Sequence, residues 1–191
     1  EIDDLVYNDG DLVQIPFTSS NTGGDNSYEW TSTNSETGLE DSGSGDIEFT
    51  ATNTGSNSPI VTTVTVIPSF TNGDDSNTGE AETFTITVNP VAQIEPMENI
   101  TLCEEEELET IIFSTLNTGG TTTYEWTNDN TDIGLAANGV GDIPSFTVTN
   151  DTTSALIATI EVTPTYENGG ISNTGNSETF TITVNPGAQV E

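Results

Sequence analysis

The chain has 191 residues, of which 32 are Asp or Glu and none is Lys, Arg or His, so its formal net charge at pH 7 is −32. Proteins bind nucleic acids and anionic lipid surfaces through Lys and Arg, so the composition excludes both as partners. It also excludes His-dependent nucleophilic triads, His-containing zinc sites, P-loops and Schiff-base chemistry, which leaves carboxylate chemistry, calcium binding or a structural role.

Apolar residues in the first half alternate with polar ones, which is typical of half-buried β-strands. In chain order these positions are Val13, Ile15 and Phe17; Tyr28 and Trp30; Ile47, Phe49 and Ala51; Ile60, Val64 and Val66; and Phe84, Ile86 and Val88. Asn-Thr-Gly, Asn-Gly and Asn-Pro turn signals lie between them. High net charge is typical of disordered chains, but this regular alternation favours a folded one.

The same pattern returns in the second half because the chain contains an internal repeat. The nonapeptide at 82–90 recurs identically at 178–186, 96 residues further along. The same shift relates 21–24 to 117–120, 28–30 to 124–126, 45–47 to 141–143 and 77–79 to 173–175. The alternating positions here are Ile111 and Phe113; Tyr124 and Trp126; Phe146 and Val148; Leu156, Ala158, Ile160 and Val162; and Phe180, Ile182 and Val184.

Six or seven short strands in each repeat match the size of an immunoglobulin-like sandwich. We therefore predict an all-β protein with two tandem immunoglobulin-like β-sandwich domains, at 1–90 and 97–186. Residues 91–96 are the predicted linker between them. Residues 187–191 are the predicted linker to a next unit, because Gly-Ala-Gln-Val-Glu there repeats Val-Ala-Gln-Ile-Glu at 91–95.

The ends of the sequence suggest how the units are used. The chain opens without the basic segment of a signal peptide, and it stops where another repeat would begin. We expect either two units cut from a longer array or a protomer that joins head to tail with its neighbour.

Spaced matches across the second unit carry a resemblance to a known family. They lie at Tyr124 to Asn130, Ile133 to Gly139, Gly141 to Thr147, Thr159 to Pro164 and Phe180 to Pro186. These segments look like the PKD-like repeats of very large Bacteroidetes surface adhesins, best known from gliding motility. The resemblance implies PKD-like sandwiches in an extracellular stalk or filament, exported by the type IX route and tethered at the cell surface, without catalytic residues.

The resemblance also implies a cysteine pair, with one member near the first strand and one before the last. Cys103 fits the first position, but Asn173 stands at the partner position. The first unit has Tyr7 and Asn77 at the two positions. The single cysteine is therefore expected to be unpaired.

Candidate sites come from the oxygen-bearing side chains. Calcium prefers six to eight oxygen ligands, and the candidates for a structural calcium site, weighed against a solvated acidic surface, are Asp74, Asp75, Asp129 and Asp132. The candidates for glycosylation are the hydroxyls of Thr152 and Thr153 and the sequon residues Asn99 and Asn150. We predict no catalytic residue and no cofactor other than that calcium.

The two tryptophans allow a sugar-stacking interpretation. Trp30 and Trp126 each follow a Tyr by two residues, on the same strand face. Immunoglobulin-like cores bury a tryptophan at such a position, so we predict both in the core.

Three functions are compatible with the sequence. The first is a structural repeat of an extracellular surface adhesin or fibril, whose partners are neighbouring repeats or protomers and surface glycans. The second is a carbohydrate-binding or accessory module of a secreted multidomain protein, which needs an aromatic side chain outside the core. The third is a carboxylate hydrolase, which needs a cleft between carboxylates.

Tandem near-identical units and missing catalytic residue types favour the first function, a non-enzymatic one. The dense negative charge is then expected to keep the array extended. Residues 2–6 are expected to add to the sheet of a preceding domain by strand addition.

Overall fold

The computed structural model describes residues 2–188, which form an all-β structure. Sixteen strands and two short 3₁₀ turns, Ser35–Thr37 and Thr131–Ile133, lie in this range. The predicted fold of two tandem β-sandwich domains is confirmed. By internal contacts the described chain divides into one unit of 2–91 with 168–173 and another of 92–167 with 174–188. None of the described helices has the length and apolar character needed to cross a membrane.

The first domain contains eight strands in two sheets. They are β1 Leu5–Asn8, β2 Leu12–Ile15, β3 Asp25–Ser32, β4 Ser42–Ser44, β5 Ile47–Thr50, β6 Ile60–Asn72, β7 Asp75–Thr78 and β8 Glu82–Asn89. The larger sheet has the order β1-β8-β6-β3-β4, with β7 paired to the end of β6, and β2 pairs with β5 in the smaller one. All these pairings are antiparallel except that of β1 with β8.

The second domain repeats this topology. Its strands are β9 Ile100–Cys103, β10 Glu107–Leu108, β11 Thr121–Asn128, β12 Asn138–Val140, β13 Phe146–Thr147, β14 Leu156–Asn168, β15 Ile171–Thr174 and β16 Glu178–Asn185. The larger sheet has the order β12-β11-β14-β16-β9, with β15 paired to β14, and β10 pairs with β13. The edge strand β9 is parallel to β16.

Each domain has its own apolar core, formed by the inward positions of the alternating strands. The first core contains Val13, Ile15, Trp30, Leu39, Ile47, Ala51, Val64, Val66, Phe84, Ile86 and Val88. The second contains Leu108, Ile111, Phe113, Tyr124, Trp126, Ile133, Leu135, Ile143, Val148, Ala158, Ile160, Val162, Phe180, Ile182 and Val184. Trp30 and Trp126 are 8% and 4% exposed, so their predicted core position is confirmed. A fully buried Val, Ile or Phe contributes roughly 1.5–3 kcal/mol.

One proline makes the smaller sheets differ between the domains. Glu48 of β5 pairs with Gln14 in a continuous four-residue ladder. The corresponding residue of the second domain is Pro144, which has no N–H to donate to a ladder. The pairing there is reduced to the two-residue β10–β13 ladder and the single bridge between Ile111 and Ile143.

The first residues of the chain pair within their own domain. Leu5 and Val6 lie in β1, opposite Ile86 and Thr87 of β8. The expectation that residues 2–6 add to the sheet of a preceding domain is therefore wrong for Leu5 and Val6. Their backbone groups complete the first domain's own sheet.

Carboxylates in this chain accept hydrogen bonds from backbone amides. The bonds are 2.6–2.9 Å long and join Asp4 to Thr85, Asp9 to Asn53, Asp11 to Asn8, Asp46 to Phe17, Glu104 to Gly187, Glu106 to Cys103, Asp129 to Thr159 and Asp142 to Phe113. Hydrogen bonds with a charged partner are stronger than neutral ones. The amides at turns and strand ends thus take the place of the missing cationic side chains.

Raising the ionic strength should stabilise the protein, because every interaction between its ionised side chains is repulsive. Between about 0.02 and 0.5 M NaCl, screening shortens the range of this repulsion several-fold. We expect the thermal midpoint to rise, by about 4–8 °C for each 1 kcal/mol gained. Differential scanning calorimetry with an uncharged osmolyte as control measures this, and an unchanged or lower midpoint would contradict it.

A second prediction concerns Glu105, which has a φ of 67° where the first domain has Gly10 with a φ of 89°. Glu105 and Gly10 correspond because their amides donate to Val148 and Ala51, which hold matching places in the two turns. A side chain in this left-handed conformation costs about 1–2 kcal/mol, and glycine avoids that strain. Glu105→Gly should therefore raise the unfolding free energy of the second domain by roughly 0.5–1 kcal/mol.

Urea unfolding of Glu105→Gly should be compared with Glu105→Ala, which removes the same charge but keeps Cβ. Equal stabilities of these two variants would show that the backbone conformation contributes nothing.

Candidate functional site

The first domain carries an open groove of about 570 Å³. It lies between the β2–β3 connection, the strands β3 and β6, and the β7–β8 turn. Three half-buried aromatic side chains line it, from Phe17, Tyr28 and Phe70, together with the polar Asn21 and the backbone of Gly79. The groove thus combines aromatic surface with hydrogen-bonding groups.

A carboxylate fixes the aromatic wall of the groove. The amide of Phe17 donates to Asp46 Oδ1 at 2.8 Å, which anchors the chain just after β2. The ring of Phe17 then packs against that of Tyr28, with centroids 5.4 Å apart and a tilt of 44°. Such tilted aromatic pairs are favourable arrangements.

The second domain builds the same wall from corresponding residues. Phe113 donates its amide to Asp142 Oδ1 at 2.9 Å, and its ring lies 5.5 Å from that of Tyr124. Tyr166 takes the place of Phe70, and its hydroxyl donates to the carbonyl of Thr118 at 3.0 Å. In contrast to the first domain, all three rings are buried here.

Residues 92–97, called the junction segment below, cover this surface in the second domain. Ala92 is 4% exposed, and Ile94 and Met97 pack against the second core. This segment contains most of the predicted linker 91–96. Its side chains therefore belong to the second domain.

Backbone hydrogen bonds fix the junction segment in place. The amide of Gln93 donates to Asn117 Oδ1 at 2.6 Å, and the amide of Glu95 donates to the carbonyl of Ser114 at 2.9 Å. The hydroxyl of Ser114 in turn donates to the Glu95 carboxylate.

The segment also passes very close to a glycine. A Cβ placed on Gly175 would lie 1.9 Å from the carbonyl oxygen of Ala92, so only glycine fits there.

The three residues that hold the junction segment have counterparts in the open groove. Ser114, Asn117 and Gly175 correspond, at the 96-residue shift, to Thr18, Asn21 and Gly79. All three counterparts line the groove of the first domain. Asn and Gly are identical in the two domains, and Ser114 and Thr18 both carry a hydroxyl. The second domain thus holds the junction segment on these groups, and the first domain repeats the groups in its open groove. This set of positions is called the segment-binding surface below, in both domains.

Burial within the second domain lowers the acidity of two phenols. Burial raises the pKa of Tyr166 above its ordinary value. Burial also raises the pKa of Tyr124, and the nearby carboxylates of Asp142 and Glu95 raise it further. A hydrogen bond with Thr115 lowers this pKa but only partly offsets the increase. Both side chains are therefore neutral phenols at physiological pH.

The structure places the four calcium candidates at two separate turns. Asp74 lies in the tight turn between β6 and β7, and Asp75 begins β7, both exposed. Asp129 Oδ1 accepts the amide of Thr159 at 2.6 Å, and the amide of Asp132 donates to Asn130 Oδ1 at 3.2 Å in the cap of a 3₁₀ turn.

Within residues 2–188 no group of three or more acidic or thiol side chains is arranged to hold a metal ion. Calcium binding by these residues stays a prediction.

The glycosylation candidates differ in accessibility. The amide nitrogen of Asn150 is buried and donates to the carbonyls of Ser154 and Val184, at 2.9 and 2.7 Å, so the folded domain does not present it to a modifying enzyme. Asn99 is exposed, and its Oδ1 accepts the amide of Thr181. Thr152 and Thr153 are both exposed, and the hydroxyl of Thr152 donates to Ser154 O at 2.8 Å.

Cys103 is exposed and unpaired in the structure. In the β9–β16 ladder Cys103 lies opposite Asn185. The residue of β8 that corresponds to Asn185 is Asn89, and Asn89 lies opposite Asn8. The first-domain counterpart of Cys103 is therefore Asn8, and the assignment of Tyr7 is wrong by one residue. The constant shift of 96 fails here because it becomes 95 in the first strand of each domain.

Sequence patterns alone do not reveal the segment-binding surface as a site, although they contain parts of it. Asn21 and Gly79 lie in segments that recur identically in the second repeat. Phe70 lies near the end of β6, beyond the alternating positions, and its Tyr166 counterpart becomes informative only when the strands are paired. The identity of Asn21 and Gly79 with Asn117 and Gly175 is the sequence signal that indicates the site, because the turns themselves do not require these residues.

Comparisons with known proteins give similarity in structure alone. No protein-family model matches the chain, and no curated protein matches it. A crystal structure of mouse cadherin-23 EC22-24 is similar over 82% of this chain and 53% of that one, with 15% identity and a TM-score of 0.35. Zebrafish RET cadherin-like domains 1 to 4 are similar over 86% of this chain and 41% of that one, with 12% identity and a TM-score of 0.26. This chain thus spans about half the length of the structures it matches.

The close approach at Gly175 gives a testable difference between the domains. Gly175→Ala should displace the junction segment and destabilise the second domain by about 1–3 kcal/mol, because the added methyl collides with backbone. The matched control is Gly79→Ala, whose Cβ would meet Pro68 Cγ at 3.0 Å and no junction segment. Urea unfolding followed by tryptophan fluorescence measures both. Equal destabilisation at the two sites would contradict the structural role of residues 92–97.

Proposed function

We propose that the chain is a structural repeat unit of an extracellular surface adhesin or fibril, in which β-sandwich domains follow one another head to tail. The observation that carries this proposal is the junction segment. The second domain completes its core with residues 92–97, which precede its first strand. A domain built in this way is adapted to a chain that arrives from a preceding unit.

The charge distribution supports an extended array. Both repeats are acidic and neither contains a cationic side chain, so each added unit adds negative charge. Like charges on neighbouring units repel one another and oppose collapse. Proteases that cut after Lys or Arg find no site in this sequence. A durable polyanionic fibre at the cell surface, of the gliding-adhesin type that the sequence resembles, fits these properties.

A carbohydrate-binding module is the alternative that one observation favours. The groove of the first domain presents Phe17, Tyr28 and Phe70 beside polar side chains, and aromatic faces with convergent polar groups are typical of ligand sites. The buried state of the corresponding rings in the second domain favours a role in holding a protein segment instead.

The acidity of Asp4 does not fit the role of a general acid. The pKa of Asp4 is lowered, because it accepts hydrogen bonds from Thr85. A general acid requires the opposite, a raised pKa. The proposed role is non-enzymatic because the sequence lacks the His, Lys and Arg side chains that many catalytic sites use.

Localisation and form of the native material test the proposal. Antibodies raised against the chain should label filaments or rods on the surface of intact producing cells in immunogold electron microscopy. A glutamyl-specific protease added to intact cells should remove the label, because 7 Glu residues lie in 1–90 and 10 in 97–186. A cytosolic control protein should survive this treatment in intact cells and be degraded in lysed cells. Label confined to the cell interior, or to isolated globules, would contradict the proposal.

A glycan array tests the alternative. The structural proposal predicts no saturable binding. Saturable binding that Phe70→Ala abolishes, while the fold is retained, would favour the carbohydrate-binding module.

A further inference from the structure

We propose that the groove of the first domain binds residues 187–191 of a second copy of this chain, so that copies join head to tail. The inference rests on the proposed function and names the partner of the segment-binding surface. It follows from the way the second domain uses the same surface.

The sequence of the proposed occupant matches that of the bound segment. Residues 187–191 read Gly-Ala-Gln-Val-Glu, and residues 91–95 read Val-Ala-Gln-Ile-Glu. The three identical residues and the Val-for-Ile exchange fall on the positions that contact the second domain. This segment therefore presents the same or a similar residue at each of these positions.

Each contact of the junction segment can be repeated in the groove. Ala188 takes the place of Ala92 against Gly79, whose open side has no Cβ to block the approach. The amide of Gln189 takes the place of that of Gln93 and donates to Asn21.

The last two residues complete the match. Val190 takes the place of Ile94 beside the aromatic wall. Glu191 takes the place of Glu95, with the hydroxyl of Thr18 as its donor.

The groove is also shaped for an added apolar residue. Phe70 lacks the hydroxyl with which Tyr166 bonds to the backbone, and Phe17, Tyr28 and Phe70 all remain partly exposed. In the second domain the counterparts of these rings are buried. Ile94 and Met97 of the junction segment pack against the core that contains two of them, Phe113 and Tyr124. Burying this aromatic surface is the main driving force of the proposed contact.

Charge opposes the contact, which gives it a diagnostic salt dependence. Glu80 and Glu82 line the groove, and the incoming segment contains Glu191. Salt screens this repulsion. Association should therefore strengthen as the NaCl concentration rises, opposite to a contact driven by unlike charges.

Sedimentation velocity of two single variants tests the proposal. Gly79→Ala places a methyl group where the backbone of Ala188 would lie, and Val190→Ser removes the apolar side chain of the segment. The unaltered chain should associate in a concentration-dependent way, and each variant should weaken association by about tenfold or more. Leu12→Ser, at a side chain that is 62% exposed and outside the groove, is the matched control and should associate normally.

Mixing the variants makes the test directional. Gly79→Ala keeps an intact segment, and Val190→Ser keeps an intact groove, so the mixture should form a one-to-one pair that neither forms alone. Circular dichroism checks that both remain folded. A synthetic peptide of residues 185–191 should compete with the intact segment for the groove and so dissociate the pair.

Three results would overturn the inference. They are a chain that stays monomeric at every salt concentration, association that both variants leave unchanged, or native material whose mass under denaturing conditions exceeds 20.1 kDa because successive units are covalently joined. The last result would leave the proposed structural function intact, whereas isolated globules in place of filaments would remove that function as well.

Discussion

Every electrostatic interaction between ionised side chains of this protein is repulsive, and the rest of the structure is organised around that constraint. With 32 acidic residues and no cationic one, the only positively polarised partners at hand are N–H and O–H groups. Carboxylates accordingly accept backbone amides at turns and strand ends, as Asp46 does for Phe17 and Asp142 for Phe113. The attraction that holds the sheets together then comes from two apolar cores and the backbone ladders.

The same constraint bears on how units can be joined. Two polyanionic surfaces do not attract each other, so a junction between units needs apolar burial and backbone hydrogen bonds. The junction segment shows both kinds of interaction within the second domain, where Ile94 packs against the core and the amides of Gln93 and Glu95 are hydrogen-bonded. In an array whose units are joined by such a segment, the short contact holds neighbouring units together. The negative charge on the remaining surface repels them elsewhere, which keeps the fibre extended.

The sandwich fold could be predicted from the sequence because inward and outward positions alternate along a strand. This alternation is visible as apolar and polar residues at every second position. Trp30 and Trp126 could be assigned to the core for the same reason. The reduced ladder at Pro144 was also readable in principle, since proline has no N–H, but the partner strand was unknown. The one-residue offset at Cys103 depends on strand register, which places Cys103 opposite Asn185. The groove around Phe70 depends on which segment of the chain covers which surface. Neither is encoded by local pattern.

A cryo-electron microscopy map of the native assembled material tests the central claim most directly. The account predicts density for residues 187–191 of one copy across the aromatic wall of the next, with Val190 beside Phe17 and Tyr28 and with the backbone of Ala188 against Gly79. A map in which that wall is bare, or covered by a glycan, while the domains contact one another through other surfaces, would contradict it.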